Sequence, residues 1–282
     1  MEGGLFLNEN DSPQRGDLKG YLPRGEQTER FINQYPQVAE HFDNVGCRIE
    51  GHRMGEFPRL VLVFPGMFRT EKDRTKSIED FWTTWVAMPL ERSFAQITYS
   101  NHSFVPELMY SQVEDLIKAY GINEIDMIAF SFGGPLAMQQ IVDFYRKGMG
   151  VDIKTISLIM TCIEGKDLTA LGKGAGKIVD FLLRIPISLK IPSAIFAHTK
   201  ALGVRTGSIG DLSLDRELLP KSAKVLMLAS ANDELFNSKK SVENTKSIYP
   251  EAKIVWLPGG HAWNNEKTKS TGNVVYDFLK EE

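Results

Sequence analysis

Three residues whose types can together activate a hydroxyl follow one another along this chain: Ser131, Asp233 and His261. A serine hydroxyl is a weak nucleophile until a neighbouring base takes its proton. A neutral imidazole does that near pH 7, and a carboxylate fixes its tautomer and steadies the imidazolium. Ser131 lies in Ile125-Asp126-Met127-Ile128-Ala129-Phe130-Ser131-Phe132-Gly133-Gly134-Pro135. An apolar run stops at the serine, small residues follow, and residues 136–146 repeat apolar side chains at helical spacing. A tight strand-to-helix turn holds such a serine out at the strand end. The backbone N–H groups that follow, beginning with Phe132, point the same way at the positive end of the helix. The pattern is A-x-S-x-G with an extra glycine, one residue away from the G-x-S-x-G nucleophile elbow. Taken alone, the segment also reads as a serine N-cap on an ordinary helix.

The partners lie downstream. Residues 224–230 read as a buried strand followed by Ala231-Asn232-Asp233-Glu234. Residues 252–258 read as another, followed by Gly259-Gly260-His261-Ala262-Trp263. Serine, acid and histidine thus each sit just past the end of a different strand. In an open parallel sheet, ligands bind beyond the carboxyl ends of the strands.

On these motifs the chain resembles an α/β-hydrolase-fold serine hydrolase, esterase- or lipase-like, from about residue 45 to the C-terminus. The elbow around Ser131, the loop bearing Asp233 and Pro258-Gly259-Gly260-His261-Ala262-Trp263 carry the resemblance. Leu60-Val61-Leu62-Val63-Phe64-Pro65-Gly66-Met67 adds to it. Pro-Gly stands where family members usually have His-Gly, and the retained glycine maps Met67 onto an oxyanion-hole position. The resemblance implies a mostly parallel central sheet flanked by helices, with a helical cap inserted after the sixth core strand. It implies Ser131 as nucleophile, His261 as base and Asp233 as acid, with the N–H groups of Phe132 and Met67 holding the oxyanion. It also offers Glu164 as an alternative acid position, and Glu234 adjoins Asp233. His102 follows a strand and is expected to contact substrate rather than act as base. His41, His52 and His198 are expected at the surface or in the core.

A serine nucleophile leaves esters, thioesters, lactones, amides and certain carbon–carbon bonds as substrates. The reading is hydrolysis of a small-molecule carboxylic ester with a hydrophobic acyl group, through an acyl-enzyme and without a cofactor or metal. Acyl transfer, or thioester or C–C bond hydrolysis, on the same triad is the alternative. A non-catalytic ligand-binding protein on the same scaffold is a further one, since fold does not fix function.

The elements that must position these groups alternate along the chain. Residues 45–52 read as an edge strand, 60–64 as a buried strand, 77–88 as a helix and 94–99 as a strand. Residues 106–120 read as a helix stopped by Gly121, and 153–160 as a further strand. Alternation of this kind implies a parallel sheet with helices on both faces. Residues 1–44 read as a polar extension holding a short helix at 26–40. Residues 45–163 and 223–282 form the core. Residues 164–222 are too long for a simple loop and read as a helical lid over Ser131. In that interval Phe181 and Leu182 are candidate acyl-pocket residues, although packing against the sheet is the better reading for most of its apolar side chains. Membrane-surface contact, aided by Lys173, Lys177, Arg184 and Lys190, ranks below both.

Composition bounds the rest. The 282 residues are 42% hydrophobic and 24% charged with a formal net charge of −3, ordinary for a globular protein and no support for nucleic-acid binding. Two cysteines, Cys47 and Cys162, give no metal-site spacing or disulfide framework. They read as free thiols, Cys162 as pocket lining or core. The first residues lack the apolar core of a signal peptide, and no run of about 18 apolar residues marks a membrane span. A cytoplasmic location is the default expectation. Oligomeric state is not legible.

Overall fold

The computed structural model describes residues 47–66, 86, 88–99, 106–164, 167, 214–261 and 265–281. Seven strands form one sheet: β1 (Cys47–His52), β2 (Arg59–Phe64), β3 (Ser93–Tyr99), β4 (Glu124–Phe130), β5 (Asp152–Ile159), β6 (Lys224–Ser230) and β7 (Lys253–Leu257). Their order is β1-β3-β2-β4-β5-β6-β7. Among the described strands, only β1, at one edge, runs antiparallel to its neighbour β3; the other pairings are parallel. The expected strands fall within a residue or two of these bounds.

Among the described residues, four α-helices flank the sheet: α1 (Pro106–Tyr120), α2 (Gly133–Arg146), α3 (Ser238–Ile248) and α4 (Asn265–Lys280). Gly121, in the left-handed region (φ +62°), ends α1. Alternate residues of the inner strands feed two cores. Leu60, Leu62, Ile125, Met127, Ile156 and Leu158 pack with α1 and α2 on one face. Val61, Val63, Ile128, Ile159, Leu226 and Leu228 pack with Val275, Phe278 and Leu279 of α4 on the other. Burial on both faces explains why these strands read as continuous apolar runs. Neither α3 nor α4 was legible from the apolar pattern. The signal for α3 was Asn237, whose side chain caps it by accepting the Lys240 N–H at 3.1 Å.

The one polar interruption of β4 has its own partners. Asp126, fully buried, accepts Arg59 through two bonds of 2.8 and 2.7 Å, Arg92 at 2.5 Å and the Thr155 hydroxyl at 2.7 Å. Arg92 also donates to the Leu279 carbonyl near the end of α4, at 2.9 Å. Burial pulls the Arg92 guanidinium below its ordinary pKa, while Asp126 opposes that shift. This cluster closes the sheet at the end where β2 and β4 begin.

Residues 164–222 fall between β5 and β6, the fifth and sixth strands among the described residues. Most of that interval lies outside the described residues, as do residues 1–44, all of the expected helix at 77–88 except positions 86 and 88, and Met67, His102, Phe181 and Leu182. At its two ends, Arg216 Nε meets Glu164 Oε1 at 2.6 Å. The Asp167 carboxylate accepts Asn244 at 2.8 and 2.7 Å.

Candidate active site

The strand order reverses beside β2: the chain steps out to β3, then crosses back to β4 and proceeds to β7. Such a switch point opens a crevice at the carboxyl end of the sheet. Gly66, two residues past β2, and Ser131, directly after β4, meet there. A Cβ added to Gly66 would lie 3.5 Å from the Ser131 Cβ.

Ser131 has φ +47°, a strained left-handed conformation for a residue with a Cβ. Its surroundings enforce it. Its N–H donates to the Ile159 carbonyl at 3.0 Å, and its own carbonyl accepts the Gly134 N–H at 3.2 Å. That carbonyl also accepts the buried Thr161 hydroxyl. Both following glycines are sterically required. A Cβ on Gly133 would lie 2.8 Å from the Pro65 carbonyl oxygen, and one on Gly134 would lie 2.6 Å from that of Cys162. Phe132 is already helical (φ −54°, ψ −31°) and makes no side-chain cap, so its N–H belongs to the first turn of α2. Ser131 is therefore not the N-cap of an ordinary helix.

The Ser131 Oγ lies 2.8 Å from His261 Nε2. On the far side of the ring, His261 Nδ1 lies 2.8 Å from Asp233 Oδ2. A carboxylate only accepts, so Nδ1 carries the proton and Nε2 of the neutral ring is left to accept from Ser131. The Asp233 side chain is fully buried and that of His261 is 16% exposed. The second carboxylate oxygen of Asp233 accepts the N–H groups of Leu235 and Phe236, each at 2.9 Å. That leaves Oδ2 for the imidazole. The Phe236 ring lies beside His261, centroids 5.4 Å apart.

The alternative acids have other partners. The Glu164 carboxylate holds Arg216, raising the guanidinium pKa. Glu234 accepts the backbone N–H of His261 at 2.9 Å, not its ring, and that bond holds its carboxyl below the usual carboxylate range. Cys162 is fully buried, and desolvation pushes its thiol pKa well up. Two polar residues were overlooked in the sequence: Thr161, and Ser230, whose hydroxyl donates to the carbonyls of Gly259 and, at 3.3 Å, Gly260. Ser230 closes a buried apolar strand and Thr161 lies two residues past another, close to the strand-end position of Ser131, and that position was the available signal. Among the described residues, no group of three or more His, Cys, Asp or Glu could hold a metal ion. Among them too, no helix is long and apolar enough to cross a membrane.

No protein-family model and no curated protein matches the chain. Solved structures do. An α/β-hydrolase enzyme from a Medee basin deep-sea metagenome library superposes with a TM-score of 0.59 at 15% identity, over 83% of this chain and 94% of that one. A structure from a study of carboxylesterases of Nitrososphaera gargenis matches over the same shares, with a TM-score of 0.57 at 15% identity. The enol-lactonase of Burkholderia xenovorans matches with a TM-score of 0.53 at 18% identity, over 83% of this chain and 95% of that one. At such identities the likeness is one of architecture, and the architecture they share with this chain is the α/β-hydrolase fold.

Proposed function

We propose that this protein is a serine hydrolase that cleaves carboxylic esters through an acyl-enzyme. The observation that carries the reading is the continuous hydrogen-bonded relay from Ser131 Oγ through His261 to Asp233, both links 2.8 Å long. Carboxylesterase and lactonase activity, named for its fold neighbours, belong to the same acyl chemistry.

In this mechanism Ser131 Oγ attacks the ester carbonyl as its proton passes to His261 Nε2. The imidazolium is stabilised by Asp233. The carbonyl oxygen becomes an oxyanion, held by the N–H groups of Phe132 and Met67. Loss of one such donor typically costs about 3–4 kcal/mol of transition-state stabilisation. Collapse expels the alcohol, which takes the proton from His261, and leaves the acyl group on Ser131. Water then attacks with His261 again as base, releasing the acid and restoring the serine.

The hydrophobic acyl preference rests on the composition of residues 164–222 as a lid, with Phe181 and Leu182 lining the pocket and His102 and Cys162 near it. A fluorophosphonate probe tests the chemistry: the wild type is labelled and Ser131→Ala is not. A panel of p-nitrophenyl esters tests the preference. Leu182→Asp lowers turnover of medium-chain esters more than of acetate; equal losses count against the pocket. Product partitioning to an added alcohol would mark a transferase, and an unlabelled wild type a binding protein.

A further inference from the structure

We infer that Glu234 is a positioning residue for His261, acting on its main chain while Asp233 acts on its ring; the inference rests on the serine-hydrolase reading. His261 stands on a loop with little stiffness of its own. Two glycines precede it, and Gly259 is left-handed (φ +77°). Three residues of one short segment, 230–234, hold this loop. Ser230 donates to the Gly259 and Gly260 carbonyls. Asp233 takes the imidazole Nδ1. Glu234 Oε2 accepts the His261 N–H at 2.9 Å.

The last contact fixes where the histidine backbone sits, and so where Nε2 arrives. It also explains Gly260. A Cβ there would lie 2.8 Å from both Cδ and Oε2 of Glu234. The carboxylate ends a flexible side chain, so an alanine at 260 displaces it rather than the loop. Gly260→Ala therefore breaks the same hydrogen bond as removing Glu234. Misplacing a reacting group by an ångström can cost about 100-fold in rate, and a looser loop that still samples the right position costs less.

The test measures fluorophosphonate labelling of Ser131 and hydrogen exchange of the His261 amide in the full chain. Glu234→Ala is expected to speed that exchange and slow labelling about tenfold. Glu234→Gln keeps an acceptor oxygen and restores labelling to within about threefold of wild type. Gly260→Ala reproduces the Glu234→Ala defect and adds nothing to it in the double variant, a coupling that a general structural loss does not show. Wild-type labelling rates in Glu234→Ala, or additive losses in the double variant, overturn the positioning role alone. An unlabelled wild type overturns the hydrolase reading, and the positioning role with it.

Discussion

Ser131 and Met160 end neighbouring parallel strands in the same left-handed conformation, at φ +47° and +44°. Each N–H reaches across to the next strand, Ser131 to the Ile159 carbonyl at 3.0 Å and Met160 to the Leu228 carbonyl at 2.8 Å. The turn at Met160 is followed by Thr161, whose hydroxyl meets the Ser131 carbonyl. Strain at the serine is thus supported by a second strained turn beside it, consistent with strained backbone persisting only where its surroundings over-determine it.

Removing the Ser131 hydroxyl should cost at least about 10³-fold in ester turnover without unfolding the chain. Two variants separate chemistry from strain. Ser131→Ala keeps a Cβ in the left-handed region and Ser131→Gly does not. Both should be inactive, with the glycine variant at least as stable in thermal denaturation. Substantial turnover in either variant excludes Ser131 as the nucleophile.

His261→Ala should be far more damaging than His102→Ala, because His261 Nε2 faces the serine hydroxyl. Asp233→Asn should keep the geometry while favouring the wrong imidazole tautomer, at a cost of about 10²–10⁴ in kcat. Steady-state kinetics on a p-nitrophenyl ester decide both. A larger loss at His102 would reassign the base.

Asp126→Ala should destabilise the fold by about 3–5 kcal/mol, since it removes the buried carboxylate that pairs with the buried Arg92 and the half-buried Arg59. Asp126 and Ser131 are five residues apart along extended chain, about 16 Å, so turnover per folded molecule should stay near wild type. Urea denaturation measures the first expectation and active-site titration the second. A loss below about 1 kcal/mol would show that the cluster contributes little beyond what neutral packing supplies.

The Glu234 carboxyl is held below its ordinary pKa chiefly by the His261 N–H and then by its own N–H. The imidazole of His261 adds to this, while desolvation and the Asp233 charge oppose it. The folded pKa lies below the unfolded one. The contact therefore favours the folded state above the unfolded value, and that contribution is lost as pH falls through the folded value. Carboxyl carbon chemical shifts should show Glu234 titrating below a glutamate in a model peptide, with His261 amide protection lost in the same step. Titration at or above the peptide value would contradict the contact.

Local chemistry made much of the molecule legible. Strands buried on both faces must be apolar throughout, so β2, β4, β5 and β6 stood out. A serine ending such a run before glycines marks a turn that few other residues tolerate, and the histidine loop announced itself by the same small residues. The amphipathic helix α1 and its glycine stop were equally plain. Helices α3 and α4 were not, because their apolar stripes are short and mostly polar residues surround them.

Tertiary structure decided what periodicity cannot encode. Asp233, Glu234 and Glu164 are all carboxylates near strand ends, and their roles differ only through what the fold brings to them: an imidazole ring, a backbone N–H and a guanidinium. Asp126 looked like an interruption of β4 until Arg59, Arg92 and Thr155 converged on it from three other parts of the chain. Gly260 read as loop punctuation, yet what a side chain there would displace is the Glu234 carboxylate, 26 residues earlier in the chain. By itself the sequence determined which segments become strands and which residue types crowd their ends, because those follow from neighbours a few residues away. Which donor meets which acceptor depends on the strand order and on long-range approach, and only the folded sheet fixes those.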